Sequence, residues 1–115
     1  MVKTKKKTSG GVKPKSCKNK RAITEISQVA EFLKLISEEN RLKILYLLEE
    51  DEKCVCDIWQ RLGLAQNLAS YHLKSLENLG LISSERKALK VIYSINEKGI
   101  KKYSKLLNKF LKLKS

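Results

Sequence analysis

The segment from Gln66 to Leu79 constrains this chain more than any other, because at roughly 100° per residue it sorts its side chains into two separate faces. Gln66, Asn67, Ser70, Tyr71, Lys74, Glu77 and Asn78 share one arc of about 140°, and Leu68, Ala69, His72, Leu73, Leu76 and Leu79 the opposite one. Such a segment is a helix with one face to pack and one to present, stopped by Gly80, which takes a left-handed terminus without strain. The presented face carries amides, a hydroxyl, a phenol and a lysine, the groups that bond base edges and phosphates in a major groove. A polar helix face is also what plain solvation demands, so its neighbours decide. Just ahead, Cys54 to Leu62 reads as a short helix stopped by Gly63, which leaves a three-residue turn, Gly63 to Ala65. A short helix, a tight turn and a presented helix make a helix-turn-helix.

Beyond Gly80 the period of the pattern changes. Leu81 to Glu85 and Val91 to Ile95 are short, β-rich segments joined by Arg86, Lys87, Ala88, Leu89 and Lys90, a hairpin with a basic tip. A cationic hairpin after a presented helix is a wing positioned to meet phosphates or the minor groove; by itself it would be only a solvated hairpin. Upstream, Ile23, Ile26, Val29, Ala30, Leu33 and Ile36 line a first helix from Arg21 to near Ser37. Ser37 is placed to cap a second helix, which runs to about Glu49 with Leu42, Ile44, Leu45, Leu47 and Leu48 nearly all core. A last helix from Glu97 to about Leu113 carries Ile100, Tyr103, Leu106, Leu107, Phe110 and Leu111 as a broad apolar stripe. The fold class is therefore mainly α with a small β-hairpin: a winged helix-turn-helix. Its two terminal helices display more apolar surface than one small domain covers, which predicts a homodimer through the first and last helices. Two-fold symmetry would then offer two presented helices to one palindromic site on double-stranded DNA.

Charge narrows the partners. The net charge is +13, and residues 1–20 hold eight lysines and no acid. A tail of that composition, with Pro14 and the pair Gly10–Gly11, is expected to be disordered, leaving one domain over residues 21–115. The tail is either a solubilising arm or a DNA-contacting one. The balance implies an acidic partner, nucleic acid being the commonest. No apolar run reaches the ~18 residues of a membrane span, so a cytoplasmic protein with no membrane partner is expected. One His, no phosphate-cradling Gly loop and no Ser/His/Asp constellation argue against an enzyme and against an organic cofactor.

The three cysteines, Cys17, Cys54 and Cys56, cannot all pair within one chain, so metal binding or reactive thiols fit better than a disulfide scaffold. Cys54 and Cys56 would diverge by about 200° on an ideal helix but share a face in extended chain, so chelation favours a locally unwound segment. They open a helix, where free N–H groups and the dipole stabilise thiolates, and Cys54 with Asp57 matches the spacing of a capping box. Drawing both sulfurs onto one ion would disturb the helix that buttresses the presented one; the bland alternative is two inert small hydrophobes. Soft ions prefer sulfur and take three or four ligands: As(III) or Sb(III) foremost, with Cd(II), Pb(II) or Zn(II) possible. Cys17, about six residues ahead of the first helix, is the only other thiol and is either a third ligand from the opposite subunit or a stray. His72, midway along the apolar arc, is expected to be a packed core histidine.

The runs ENRLKILYLL, KCVCDIWQRLGL, AQNLASYHLKSLENLGLI and VIYSIN resemble the ArsR/SmtB family of metal-responsive repressors over about 80 residues. The distinctive matches are the CVCD cluster and the S-x-H-L-K-x-L-x-x-x-G-L-I pattern at Ser70 to Ile82. The resemblance implies an apo dimer bound to operator DNA and released by metal, with an N-terminal Cys used as a ligand in some members. Three residues depart from the pattern: Ala65 replaces a capping Ser, the wing lacks its Gly, and Trp59 stands where arsenic-sensing members can have a third Cys. Members that sense zinc through the last helix use Asp/His and His/Glu pairs there; Glu97 to Ser115 has no His and no Asp, so that site is absent. The DNA contacts expected are Gln66, Asn67, Ser70, Tyr71 and Lys74 on the helix and Arg86, Lys87 and Lys90 on the wing. Two other functions fit the same residues: a thiol-based sensor of oxidants or reactive sulfur, and a constitutive winged-helix DNA binder.

Overall fold

Caps and glycine stops divide residues 19–112, the part described by this computed structural model, into five helices and three strands. The order is α1 (Lys20–Ile36), α2 (Glu39–Glu50), β1 (Lys53–Cys54), α3 (Val55–Leu62), α4 (Gln66–Leu79), β2 (Ile82–Lys87), β3 (Lys90–Ile95) and α5 (Glu97–Leu111). The expected tail lies outside the described residues, apart from Asn19 and Lys20. Asn19 caps α1, its side-chain oxygen accepting the N–H groups of Arg21 and Ala22 at 2.9 and 3.3 Å. Gly63 (φ 67°) and Gly80 (φ 87°) end α3 and α4 in the left-handed conformation. α3, the turn and α4 form the helix-turn-helix, and β2 with β3 form the wing.

Three expectations change. Ser37 does not cap α2; it ends α1, its hydroxyl donating to the Lys34 carbonyl, and Glu38 caps α2 by accepting the Asn40 N–H at 3.1 Å. α2 is not nearly all core: Ile44 and Leu48 are buried, whereas Leu42 and Tyr46 are exposed. The wing strands run further than the β-rich segments, so Arg86, Lys87 and Lys90 sit in the ladder and only Ala88 and Leu89 make the tip. With no glycine available, Ala88 takes φ 56°, a conformation that costs an L-residue about 1–2 kcal/mol.

Apolar residues of all five helices and of the sheet share one core. Ile44, Ile58, Leu73, Leu76 and Leu81 are fully buried, joined by Phe32, Leu48, Ile82, Tyr93 and Tyr103. Phe32 of α1 stacks on Tyr103 of α5, centroids 4.9 Å apart and planes 5° from parallel, and Lys109 donates to Glu25 at 2.6 Å. Ile23, Ile26, Leu33, Phe110 and Leu111 of these two helices remain exposed in the single chain, the surplus apolar surface that the sequence predicts.

α5 can lie against the end of α4 only because residue 99 is glycine. A Cβ there would fall 1.8 Å from the Gly80 carbonyl oxygen. Gly99→Ala must therefore push α5 off the α4–β2 corner, with an expected loss of ~1–3 kcal/mol as for other overpacked sites. Urea unfolding of the variant checks this; wild-type stability would mean that α5 does not seat at that corner.

Candidate nucleic-acid interface and cysteine pair

Every residue expected to touch DNA is exposed: Gln66, Asn67, Ser70, Tyr71 and Lys74 along α4, and Arg86, Lys87 and Lys90 on the wing. α4 begins without a side-chain cap, since Ala65 has nothing to accept its free N–H groups. Its first turn therefore presents open donors beside Gln66 and Asn67. Between α4 and the wing runs an open groove of about 430 Å³ lined by Val55, Ser70, Lys74, Ser84, Arg86, Val91 and Tyr93. The register explains its wall, because Ser84 pairs with Tyr93 and Arg86 with Val91, which puts all four side chains on one face of the sheet. Two cations, Lys74 and Arg86, and three hydroxyl residues, Ser70, Ser84 and Tyr93, thus line a channel between helix and wing.

The wing cations do not act as one patch. Arg86 faces the groove with Lys74, whereas Lys87 and Lys90, paired with each other at the end of the ladder, point to the other face. There Lys87 donates to Glu52 at 3.0 Å, and this carboxylate raises its pKa. Ser84 is a groove residue that the sequence reading omits, although its place two residues before Arg86 in a strand was the available signal. It donates to Glu77 of α4 at 2.6 Å.

The cysteine pair sits where the sequence argument requires, at an extended-to-helix junction. Cys54 has strand geometry (φ −76°, ψ 158°) and caps α3, its sulfur accepting the Asp57 N–H at 3.3 Å. Asp57 does not complete the box; its carboxylate faces Arg61 at 3.9 Å. The Cα atoms of Cys54 and Cys56 are 5.4 Å apart and their sulfurs are joined in a disulfide. With the Cα atoms this close, reduction of the bond would leave two thiols as near neighbours. Among the described residues no group of three or more His, Cys, Asp or Glu side chains comes together to hold a metal. Cys17 lies outside the described residues.

Strand β1 was not anticipated, being only two residues long. It pairs antiparallel with β3, Lys53 opposite Tyr93 and Cys54 opposite Ile92, so the sheet order is β1-β3-β2. The buried Lys53 ammonium is held by Asp51 and Glu50, which raise its pKa. The CVC segment is thereby part of the wing sheet as well as the start of α3.

His72 is a core residue, 5% exposed, and its Nδ1 accepts from Arg41 Nε at 3.0 Å. Arg41 also donates to the Leu35 carbonyl at 3.2 Å and Ser75 Oγ at 3.5 Å, and lies 5.6 Å from the centroid of the Tyr71 ring. One guanidinium therefore fixes α4 against the end of α1.

Comparison with known proteins agrees with this arrangement. Residues 38–84 match the family described as "Bacterial regulatory protein, arsR family". The chain is 42% identical over 79 residues to the cadmium resistance transcriptional regulatory protein CadC of Listeria innocua, covering 68% of this chain and 66% of that one. The chain belongs to the ArsR family. The arsenical resistance operon repressor of Staphylococcus xylosus is 33% identical over 69 residues, 60% of this chain and 66% of its own. The chain thus spans just under two thirds of the length of these relatives. Among solved structures, the homodimeric winged helix-turn-helix DNA-binding domain Mb0332 of Mycobacterium bovis superposes with a TM-score of 0.66 at 27% identity, covering 78% of this chain and 84% of that one. This chain thus has the winged helix-turn-helix fold seen in the DNA-binding domain of that neighbour.

The Arg41–His72 contact carries a pH dependence. Burial and then the Arg41 charge lower the His72 pKa, against an opposing pull from Glu38. A group whose pKa is lower folded than unfolded favours folding above its unfolded value, about 6.5 for His, and loses that contribution as pH falls through the folded value. Thermal stability is therefore expected to fall between about pH 7 and pH 5, before the carboxylates titrate. His72→Gln, which keeps an acceptor for Arg41, should flatten that interval; an equally steep decline in the variant would place the titrating group elsewhere.

Proposed function

We propose that this ArsR-family chain is a metal- or metalloid-responsive repressor that binds a palindromic operator as an apo homodimer and releases it when a thiophilic ion takes Cys54 and Cys56. The observation that carries the reading is the position of the two cysteines: Cys54 caps α3 and ends the strand that joins the wing, and Cys56 lies in the first turn of α3. Support comes also from the relatives named for cadmium and arsenical resistance, and from the homodimeric neighbour. The apolar faces left on α1 and α5 suit a two-fold interface between copies of the chain. A bound soft ion would supply one shell that holds two or more thiolates together. The chain's own residues do the rest: Cys54 commits its sulfur away from the Asp57 N–H, α3 loses that cap, and α4 and the wing shift from the pose that fits DNA. As(III) or Sb(III) matches a three-sulfur shell with Cys17 of the opposite subunit as third donor; Cd(II), Pb(II) or Zn(II) would require further ligands.

On the DNA side, Gln66, Asn67, Ser70 and Tyr71 read bases, while Lys74, Arg86, Lys87 and Lys90 meet phosphates. Asn67→Ala or Ser70→Ala is expected to reduce discrimination between a selected operator and random duplex by ~1–3 kcal/mol with the dimer intact. Lys74→Gln and Arg86→Gln should weaken both duplexes alike and flatten the salt dependence. Unchanged sequence preference in both alanine variants would refute α4 as the reading helix.

The thiol reading has its own test, titration of reduced protein with As(III), Cd(II), Pb(II) and Zn(II), followed by thiolate absorbance and DNA release. The Cys54→Ser, Cys56→Ser variant is expected to hold DNA at every ion concentration, including zinc, and Cys17→Ser to lose less affinity for the ion than either domain cysteine. Release by stoichiometric zinc in the double variant would contradict the assignment. The Cys54–Cys56 disulfide favours a second reading, in which an oxidant removes two electrons and two protons from the thiol pair and the bond itself is the signal. DNA release on peroxide treatment, with a mass loss of two hydrogens and no response to any of the four ions, would select it.

A further inference from the structure

Lys87, one of the wing cations, is engaged by the protein itself, and the partner is Glu52, two residues from the cysteine pair. Register and strand alternation put the two on one surface. Cys54 opposes Ile92, Ile92 opposes Glu85, and Lys87 follows two residues after Glu85, so Cys54, Ile92, Glu85 and Lys87 share the sheet face turned away from the α4 groove. Glu52 precedes Cys54 by the same two-residue step, and its carboxylate reaches Lys87 at 3.0 Å. Lys53, between them, is anchored by Asp51 and Glu50, which leaves the segment little freedom to slide.

We propose that Glu52 is a positioning residue for the wing: it holds Lys87 away from DNA phosphate, and because it immediately precedes strand β1, which ends at Cys54, ligation of Cys54 and Cys56 strengthens that hold. DNA and Glu52 compete for one ammonium. Both ends of the pair are about half exposed, with side-chain accessibilities of 53% and 48%, so the contact is weak enough for a phosphate to displace. The groove-facing cations Lys74 and Arg86 have no such partner among the described ion pairs, so the hold acts on one contact and leaves the others in place. The coupling half of the proposal rests on the metal reading above; the competition for Lys87 does not.

The test uses the reduced, full-length homodimer and a fluorescein-labelled duplex of mixed sequence, since phosphate contacts need no operator. Without metal, Glu52→Gln should tighten binding roughly two- to five-fold at low salt and steepen the log–log salt dependence by about one unit. Glu49→Gln makes the same charge change on a residue that does not reach the wing and should do neither. In a Lys87→Gln background, Glu52→Gln should have no effect. A gain no larger than that of Glu49→Gln, or one that persists without Lys87, overturns the proposal. Lys74→Gln and Arg86→Gln report on the DNA face separately: if they too change nothing, the face is misassigned and the latch falls with it, whereas if they weaken binding, a silent Glu52 sinks the latch alone. Cd(II) then probes the coupling. The ratio of metal-bound to metal-free dissociation constants should shrink in Glu52→Gln by the factor by which ligation strengthens the hold; an unchanged ratio overturns coupling through Glu52, and absence of thiolate–cadmium absorbance overturns the metal reading beneath it.

Discussion

Lys53 and Cys54 pair with Tyr93 and Ile92, and through this ladder the link between α2 and α3 becomes the third strand of the wing. A lone two-stranded hairpin is marginal in water, and this one also carries Ala88 in a left-handed conformation at its tip. The third strand and the packing of Ile82 and Tyr93 into the core give the hairpin a fixed base. Burial of the Lys53 ammonium would be costly without partners, and Asp51 and Glu50 provide them at the end of α2. Cys54 is therefore tied to the wing directly through β1, as well as to α4 through α3.

A second convergence centres on Arg41. Its guanidinium reaches a carbonyl of α1, the imidazole and a hydroxyl of α4, and the face of Tyr71. Five donors in a rigid fork suit a junction of this kind, where a lysine could bond only from one point. The neutral imidazole is essential to it, because Nδ1 must accept; a proton there would remove the bond and set two cations together. The orientation of α4, and with it the exposed polar arc, thus depends on an uncharged residue inside a strongly basic molecule.

Carboxylates moderate that basicity locally. Glu52 and Glu77 contact wing side chains, Lys87 and Ser84, from the body of the protein. A surface meant only for phosphate would gain from their removal. Their presence fits a regulator, whose affinity must stay within reach of a switch of about 1–3 kcal/mol. The apolar residues left on α1 and α5 belong to the same logic: a 115-residue chain buries only part of its apolar surface alone, and in the proposed homodimer a second copy would cover the rest.

Much of this was legible along the chain because the deciding signals are local. Period-3.6 apolar spacing, Gly63 and Gly80 as stops, Cys54 as a cap and the change to β-rich segments after Gly80 each depend on residues a few positions apart. The helix-turn-helix, the wing, the presented face of α4 and the core position of His72 follow from them. What tertiary structure alone decided involves residues far apart in sequence. Strand β1 is too short to show a period and exists only because Tyr93 and Ile92 lie alongside it. The partners of Arg41 are 31 and 34 positions away, and Glu52 meets Lys87 across 35. The wing cations look alike in sequence, yet strand alternation and register send Arg86 to the groove and Lys87 to a carboxylate. Local propensity determined which elements form; packing and the geometry of the sheet determined which charges line the groove beside α4 and which are held by carboxylates of the protein.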